Sequence, residues 1–299
     1  MRAAQQLDEP DEARLWRHGR GASQVIQVLA DRATGQLEGG DGIGARRSVR
    51  MIGSGIVYSG LILAAAGIVL VVKPIRRLRV TTRSRGLVVA GAGVLLAGVG
   101  LILPVSESRV TRVETRLDEF APAWQFREYH TIRVAAPPSR VFEAIKRVRA
   151  DEIHLFRALT WIRRGGQPLP PSILNAGEHE SLIDVATQSG FVRLADDVPR
   201  ELVIGTVVMA PPGTHGTLTP EVFQKDLAPG FALATMNFVV AADGPGRSFV
   251  STETRVFANS PSARRRFAAY WRVIYPGSAI IRRMWLRAIE RRATNPNGS

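Results

Sequence analysis

Glu128 and His130 stand two residues apart in WQFREYHTIRVAAPP, and Glu253 and Arg255 stand two apart in STETRVF near the far end of the chain. In an extended strand that spacing puts both side chains on one face. The alternation places Phe126, Glu128, His130, Ile132 and Val134 on one side of a strand and Arg127, Tyr129, Thr131 and Arg133 on the other. If the apolar members face a core, a carboxylate and an imidazole go in with them. An unpaired buried charge is costly, so each needs a partner. Pairing Glu128 with Arg255 and Glu253 with His130 across neighbouring strands would satisfy all four. Such a set is a polar floor that orients a ligand, an acid and base pair tuned by burial, or an internal ion network that fixes strand register. With the pleat reversed, it is an exposed array instead.

Other chemistry is thinly represented. With no cysteine among 299 residues, thiol nucleophiles, disulfides and thiolate metal sites are excluded. His18 is isolated, and His154, His179 and His215 have no metal-ligand spacing, so neither a metal nor a cofactor is expected. The glycine-rich GAGVLLAG and GGDGIG follow no strand, there is no P-loop, and no nucleophile elbow occurs, so no catalytic residue is assigned.

The elements that must position these residues divide sharply. Residues 51–72 and 86–105 contain no charged side chain. As helices they span about 33 and 30 Å, enough to cross a hydrocarbon core of about 30 Å, so a two-helix transmembrane hairpin is predicted. Small residues four apart, Gly60 with Ala64 and Gly93 with Ala97, would let the two helices approach closely. The loop between them carries Lys73, Arg76, Arg77, Arg79, Arg83 and Arg85 and no acid, and Arg76, Arg77 and Arg79 are candidate head-group contacts. Six arginines also flank the hairpin on its other side (Arg46, Arg47, Arg50, Arg109, Arg112 and Arg116), so only the density of the loop assigns it to the cytoplasm and the C-terminal part to the extracytoplasmic side of the cell membrane. Residues 1–50, with eight arginines, seven acids and a glycine-rich end, read as mostly disordered, and 106–123 as a linker.

The net charge of +14 is local: +6 lies in the loop 73–85, and residues 262–293 hold nine arginines against Glu290 alone. No nucleic-acid reading motif is present there, and no nucleic-acid partner is expected. Arginine outnumbers lysine 37 to 3, which points to a GC-rich, bacterial coding genome more than to a function.

Beyond the linker, the strand that carries Glu128 ends at Pro137 and Pro138. A helix with Val141, Phe142, Ile145 and Val148 inward follows, then a second with Ile153, Phe156 and Leu159 inward. Strands are predicted at 181–188, 190–197, 200–210, 231–242 and 248–258, the last two joined at Asp243-Gly-Pro-Gly246. A terminal helix starts at Ser260-Pro261 and is expected to break at Pro276-Gly277. Its apolar stripe is Ile280, Ile281, Met284, Trp285, Ala288 and Ile289. Arg282, Arg283, Arg287 and Arg291 form the outer face, which is either solvated or laid on anionic lipid.

This order of elements, with the opening residues Ala136, Pro137, Pro138, Val141, Phe142, Ala144 and Ile145, resembles the START-like helix-grip superfamily of polyketide cyclase/dehydrase and lipid-transport proteins over about residues 124–293. The closing stretch STETRVFANSPSARRRFAAYWRVIYPGSAIIRRMWLRAI resembles a subset of bacterial members. The resemblance implies an α+β domain whose curved antiparallel sheet wraps the terminal helix around a cavity for an apolar small molecule. It carries no catalytic set. The expectation is a membrane-anchored binding protein for a lipid or similar molecule, with Glu128, His130, Glu253, Arg255 and Trp285 at the ligand and a disordered tail at 294–299. The alternatives are a cyclase- or dehydratase-like enzyme using the same cavity, and a structural or regulatory protein whose cavity is filled by side chains. The ligand and any protein partner are not legible.

Overall fold

The computed structural model describes residues 43–73, 82–163, 166–167, 177 and 180–295, with side chains from residue 53 onward apart from Arg163. The expectations for residues 1–42, for Arg76, Arg77 and Arg79, for His179 and for 296–299 lie outside the described residues.

Two helices open the described chain, α1 (Ile43–Val72) and α2 (Arg83–Ile102). Both are long and apolar enough to cross a bilayer, over Gly53–Val72 and Arg83–Ile102. They pack antiparallel through the small residues singled out above. A Cβ on Gly60 would stand 2.4 Å from Ala97 N, and one on Gly93 would stand 2.3 Å from Ala64 N. Only glycine permits that approach. Outward from this seam, large apolar side chains such as Ile62, Val88, Leu95 and Ile102 are exposed. The hairpin is therefore not the core of a globular domain.

The chain then folds as β1 (Ser108–Arg109), α3 (Arg116–Phe120), β2 (Ala123–Trp124), β3 (Phe126–Val134), α4 (Pro138–Arg147), α5 (Phe156–Arg163), α6 (Leu182–Gln188), β4 (Val192–Asp197), β5 (Glu201–Met209), β6 (Ala232–Ala242), β7 (Ser248–Ala258) and α7 (Pro261–Thr294). The five strands β3 to β7 form one antiparallel sheet in the order β3-β7-β6-β5-β4, and β1 and β2 pair separately. The result is an α+β domain with a five-stranded antiparallel sheet and one long terminal helix. The β6–β7 turn is made by Gly244 and Gly246 at positive φ, with Asp243 N–H donating to Arg247 O at 3.0 Å.

Three segments differ from expectation. Residues 181–188 form a helix rather than a strand: Ser181 Oγ accepts from Asp184 N at 3.1 Å, and the buried residues Leu182, Ile183, Val185 and Ala186 recur at helical spacing. The segment 106–123, expected as a linker, is structured and covers one face of the sheet. The terminal helix runs unbroken through Pro276. Proline removes one amide, but residues on both sides of it, Phe267 and Trp271 before and Ile281 and Trp285 after, are buried against the same domain, and that packing holds the axis.

The sheet is covered on both faces. Its inner face meets α7, with the Phe126 ring 4.8 Å from that of Phe267 and 5.6 Å from that of Trp271, and the Phe238 ring 5.3 Å from that of Trp285. α4 and α6 complete this core with Val141, Phe142, Ile145, Leu182 and Ile183. The outer face carries a smaller core of Leu117, Phe120, Ala121, Ala195, Val203 and Phe223. Phe223 lies so close over Gly205 that a Cβ there would stand 2.6 Å from its ring.

Candidate functional site

The register of β3 against β7 decides where the polar residues go. Tyr129 lies opposite Glu253, Arg127 opposite Arg255, Glu128 opposite Thr254 and His130 opposite Thr252. Residues directly opposite share a face. Glu128 and His130 therefore point inward with Phe126 and Val134, whereas Glu253 and Arg255 point outward. The predicted pairing of Glu128 with Arg255 and of Glu253 with His130 does not form, and the four residues make two sites.

On the outer face Glu253 is held from two sides. Arg127 donates to it through Nε and Nη2 at 2.6 and 2.8 Å, and Arg255 donates through Nε at 2.7 Å. Arg255 continues to Asp118 Oδ1 at 2.6 Å and to Ala121 O at 3.0 Å, and its guanidinium lies 4.1 Å from the Trp124 ring centre. Asp118 Oδ2 accepts from the amides of Glu114 and Thr115 at 2.9 Å each. Beside it Glu201 accepts from Arg116 N, Leu117 N and Asn237 Nδ2 at 2.7, 3.1 and 2.6 Å. Burial pushes the Glu253 and Asp118 carboxyls upward, but the arginines and amides outweigh it, and both end below the ordinary carboxylate range. For Arg127, burial lowers the pKa but the bond to Glu253 prevails and raises it. Some of these contacts join strands of the sheet to one another, and those of Asp118, Arg116, Leu117 and Ala121 tie α3 and its flanks to the sheet. This is a structural network, and Glu253 and Arg255 belong to it.

The inner site is smaller and drier. His130 Nε2 and Glu128 Oε1 lie 2.7 Å apart, with the two side chains 4% and 0% exposed. Trp285, expected at the ligand, is fully buried over Phe238, itself the cross-strand neighbour of Thr252. Arg282 was expected on the outer, membrane-facing side of the terminal helix. It is instead 1% exposed, with its guanidinium 5.0 Å from the Trp285 ring centre. The buried residues 278, 282, 285 and 289 recur at helical spacing and put Arg282 in the middle of the stripe, whereas Ile280, read as part of that stripe, is 42% exposed. Arg283 and Arg287 are exposed as expected.

Polar atoms of this interior include some without a hydrogen bond among the described residues. Trp285 Nε1 and Thr254 Oγ1 are both buried without a hydrogen bond. Trp285 and Thr254 are each 0% exposed, and Thr254 faces inward opposite Glu128. An indole N–H can only donate, and a buried donor left unpaired costs about 1–3 kcal/mol. The inner core thus contains a hydrogen-bonded carboxylate and imidazole, a buried cation and an N–H donor without a hydrogen bond among the described residues, together with Phe142, Met236, Phe238 and Ile281. The outer residues Arg127, Asp118 and Trp124 were not read from the sequence, and neither was the inward turn of Arg282. The first group needs the strand register, which no single strand encodes, but the 278-282-285-289 spacing of the second was present in the sequence. Compared with models of protein families, with curated proteins and with solved structures, the chain matches none.

Proposed function

We propose that this is a membrane-anchored binding protein, its apolar hairpin crossing the bilayer and its helix-grip-like domain holding a lipid or another apolar small molecule between the sheet and α7. Glu128, His130, Thr254 and Trp285 meet the polar end of that molecule. The observation that carries the reading is the buried Trp285 N–H, without a hydrogen bond among the described residues, in the same apolar core as the Glu128–His130 pair. The START-like resemblance of residues 124–293 supports the same conclusion from the order of elements. The basic loop 73–85 favours an extracytoplasmic domain.

Solvent extraction of the purified full-length chain, alongside Trp285→Phe, tests this. The wild type is expected to release one apolar molecule with a hydrogen-bond acceptor in near-stoichiometric amount, and the variant clearly less. Equal release of bulk membrane lipid from both would refute it and leave the interior as a filled core.

A second reading rests on the 2.7 Å contact of His130 with Glu128, which is the geometry of an acid and base pair. In that reading the held molecule is turned over. The wild type would then carry product, and Glu128→Gln, which removes the base, would retain unconverted substrate of different mass.

A further inference from the structure

The terminal helix is fastened to the hairpin, and the place where it is fastened fixes its depth. Arg272 of α7 donates through Nη1 to Leu101 O and through Nη2 to Leu103 O, at 2.5 Å each, and so occupies carbonyls at the C-terminal end of α2. Its Nε lies so near α1 that a Cβ on Gly53 would stand 2.7 Å away. The Tyr58 hydroxyl of α1 donates to Val273 O. Tyr58 is eight residues beyond Arg50, the last charged residue before the uncharged run, or about 12 Å along the helix. A helical side chain leans toward the N-terminus of its helix, so where the hairpin crosses a bilayer Val273 O lies between the start of the uncharged run and the level of Tyr58. That puts it within roughly the outer 10 Å of the span, where interfacial helices lie.

The composition of α7 fits this position. From Phe267 to Ile281 the only charged residue is Arg272, and its guanidinium is engaged by the backbone carbonyls of Leu101 and Leu103. Burial lowers the pKa of that guanidinium from its ordinary value. Val273 and Ile280, seven apart and so on one helical face, are 46% and 42% exposed and point away from the sheet. Arg265, Arg266, Arg283 and Arg287 bracket this stretch and are exposed. Three of the four tyrosines in the chain, Tyr58, Tyr270 and Tyr275, lie at this junction with Trp271, as side chains of the bilayer interface do. Pro276 fits too. It offers no amide to Arg272 O, and a hydroxyl from the hairpin meets the carbonyl next to it.

We infer that residues 267–281 of α7 lie in the boundary between head groups and acyl chains of the leaflet nearest the domain, with Val273 and Ile280 against lipid and the four bracketing arginines among anionic head groups. The inference rests on the reading that the hairpin spans the bilayer. Its consequence is that the domain is not held off the membrane on a tether. It rests on the bilayer by the helix that also carries Trp285, five residues beyond Ile280.

The chain has no cysteine, so single cysteines report position cleanly. Val273→Cys, Ile280→Cys, Ile62→Cys, Leu95→Cys and Gln224→Cys, each in the full-length chain, would carry a nitrobenzoxadiazole label. They are placed in phosphatidylcholine–phosphatidylglycerol vesicles containing lipids with a nitroxide near the head group or near the chain end. Labels at 273 and 280 are expected to lose at least about half of their emission to the shallow nitroxide, and those at 62 and 95 to be quenched by the deep one. The label at 224, beyond the outer face of the sheet, is expected to be unaffected. Labels at 273 and 280 as bright as that at 224, with 62 and 95 quenched, would overturn the inference alone. All five unquenched would overturn the spanning hairpin as well.

Discussion

Removing Arg255 is the sharpest perturbation of the outer network. Arg255→Ala breaks the 2.7 Å bond to Glu253, the 2.6 Å bond to Asp118 and the 3.0 Å bond to Ala121 O, and it removes the guanidinium from the Trp124 face. Breaking a buried ion pair from one side costs roughly 3–5 kcal/mol. Glu253 keeps its two bonds from Arg127, and Asp118 keeps its two amides, which favours the lower end of that range. The lost stacking on Trp124 adds about 1 kcal/mol. A loss of about 3–4 kcal/mol is expected, read as a shifted urea midpoint at unchanged slope for a fragment covering 106–299. The comparison is Arg133→Ala, which removes a 3.3 Å contact to Asp243 from a side chain 80% exposed and is expected to cost no more than about 1 kcal/mol. A cycle with Asp118→Ala is expected to show coupling of at least about 1 kcal/mol. If Arg255→Ala costs no more than Arg133→Ala, or couples to nothing at Asp118, the reasoning from register to network is wrong.

Three further outcomes are expected. Glu253 and Asp118 titrate below the ordinary carboxylate range in the fold, so the unfolded chain takes up their protons first; the stability they contribute is complete above about pH 5 and is lost as pH falls through their folded values, which urea titrations between neutral pH and pH 2 would show. Gly93→Leu drives a side chain into the backbone of α1 at Ala64 and is expected to lower the thermal unfolding midpoint of the detergent-purified full-length chain clearly more than Gly98→Leu, at which a Cβ meets nothing within 4 Å; equal midpoints would mean that the helices are not held by that contact. A fragment beginning at residue 124 lacks Leu117 and Phe120 from the outer core and is expected to be less stable than one beginning at 106 by roughly 3–6 kcal/mol in the same urea assay.

Much of the architecture was legible because it depends on composition and local period. The two uncharged runs and their Gly60/Ala64 and Gly93/Ala97 seam needed only counting. The strands from 192 to 258 fall within two residues of their alternating patterns, and the Asp243-Gly-Pro-Gly246 turn carries its own glycines. What failed depends on long-range geometry. A one-residue difference in the register of β3 against β7 exchanges every face, so the alternation within each strand predicts the two strands as neighbours but not that Glu253 and Arg255 face away from Glu128 and His130. Leu182-Ile-Asp-Val-Ala satisfies a short strand and a short helix alike, and Ser181 as a cap decided it. Arg282 was placed outside because arginines belong on surfaces. The helix interior took it nonetheless, against the Trp285 ring. Pro276 was read as a break because the neighbours that hold α7 on both sides of it are distant in sequence.

The central claim is that the interior between the sheet and α7 holds an apolar molecule by its polar end. The most direct test is mass spectrometry of the intact, folded full-length chain, released from detergent without denaturation. The expected spectrum shows the protein carrying one discrete added mass in the range of a single lipid or similar apolar molecule, and that mass is reduced in His130→Ala even in preparations whose circular dichroism shows the variant to be folded. A folded wild-type chain that emerges at its bare mass under the gentlest release, as His130→Ala also does, would contradict it.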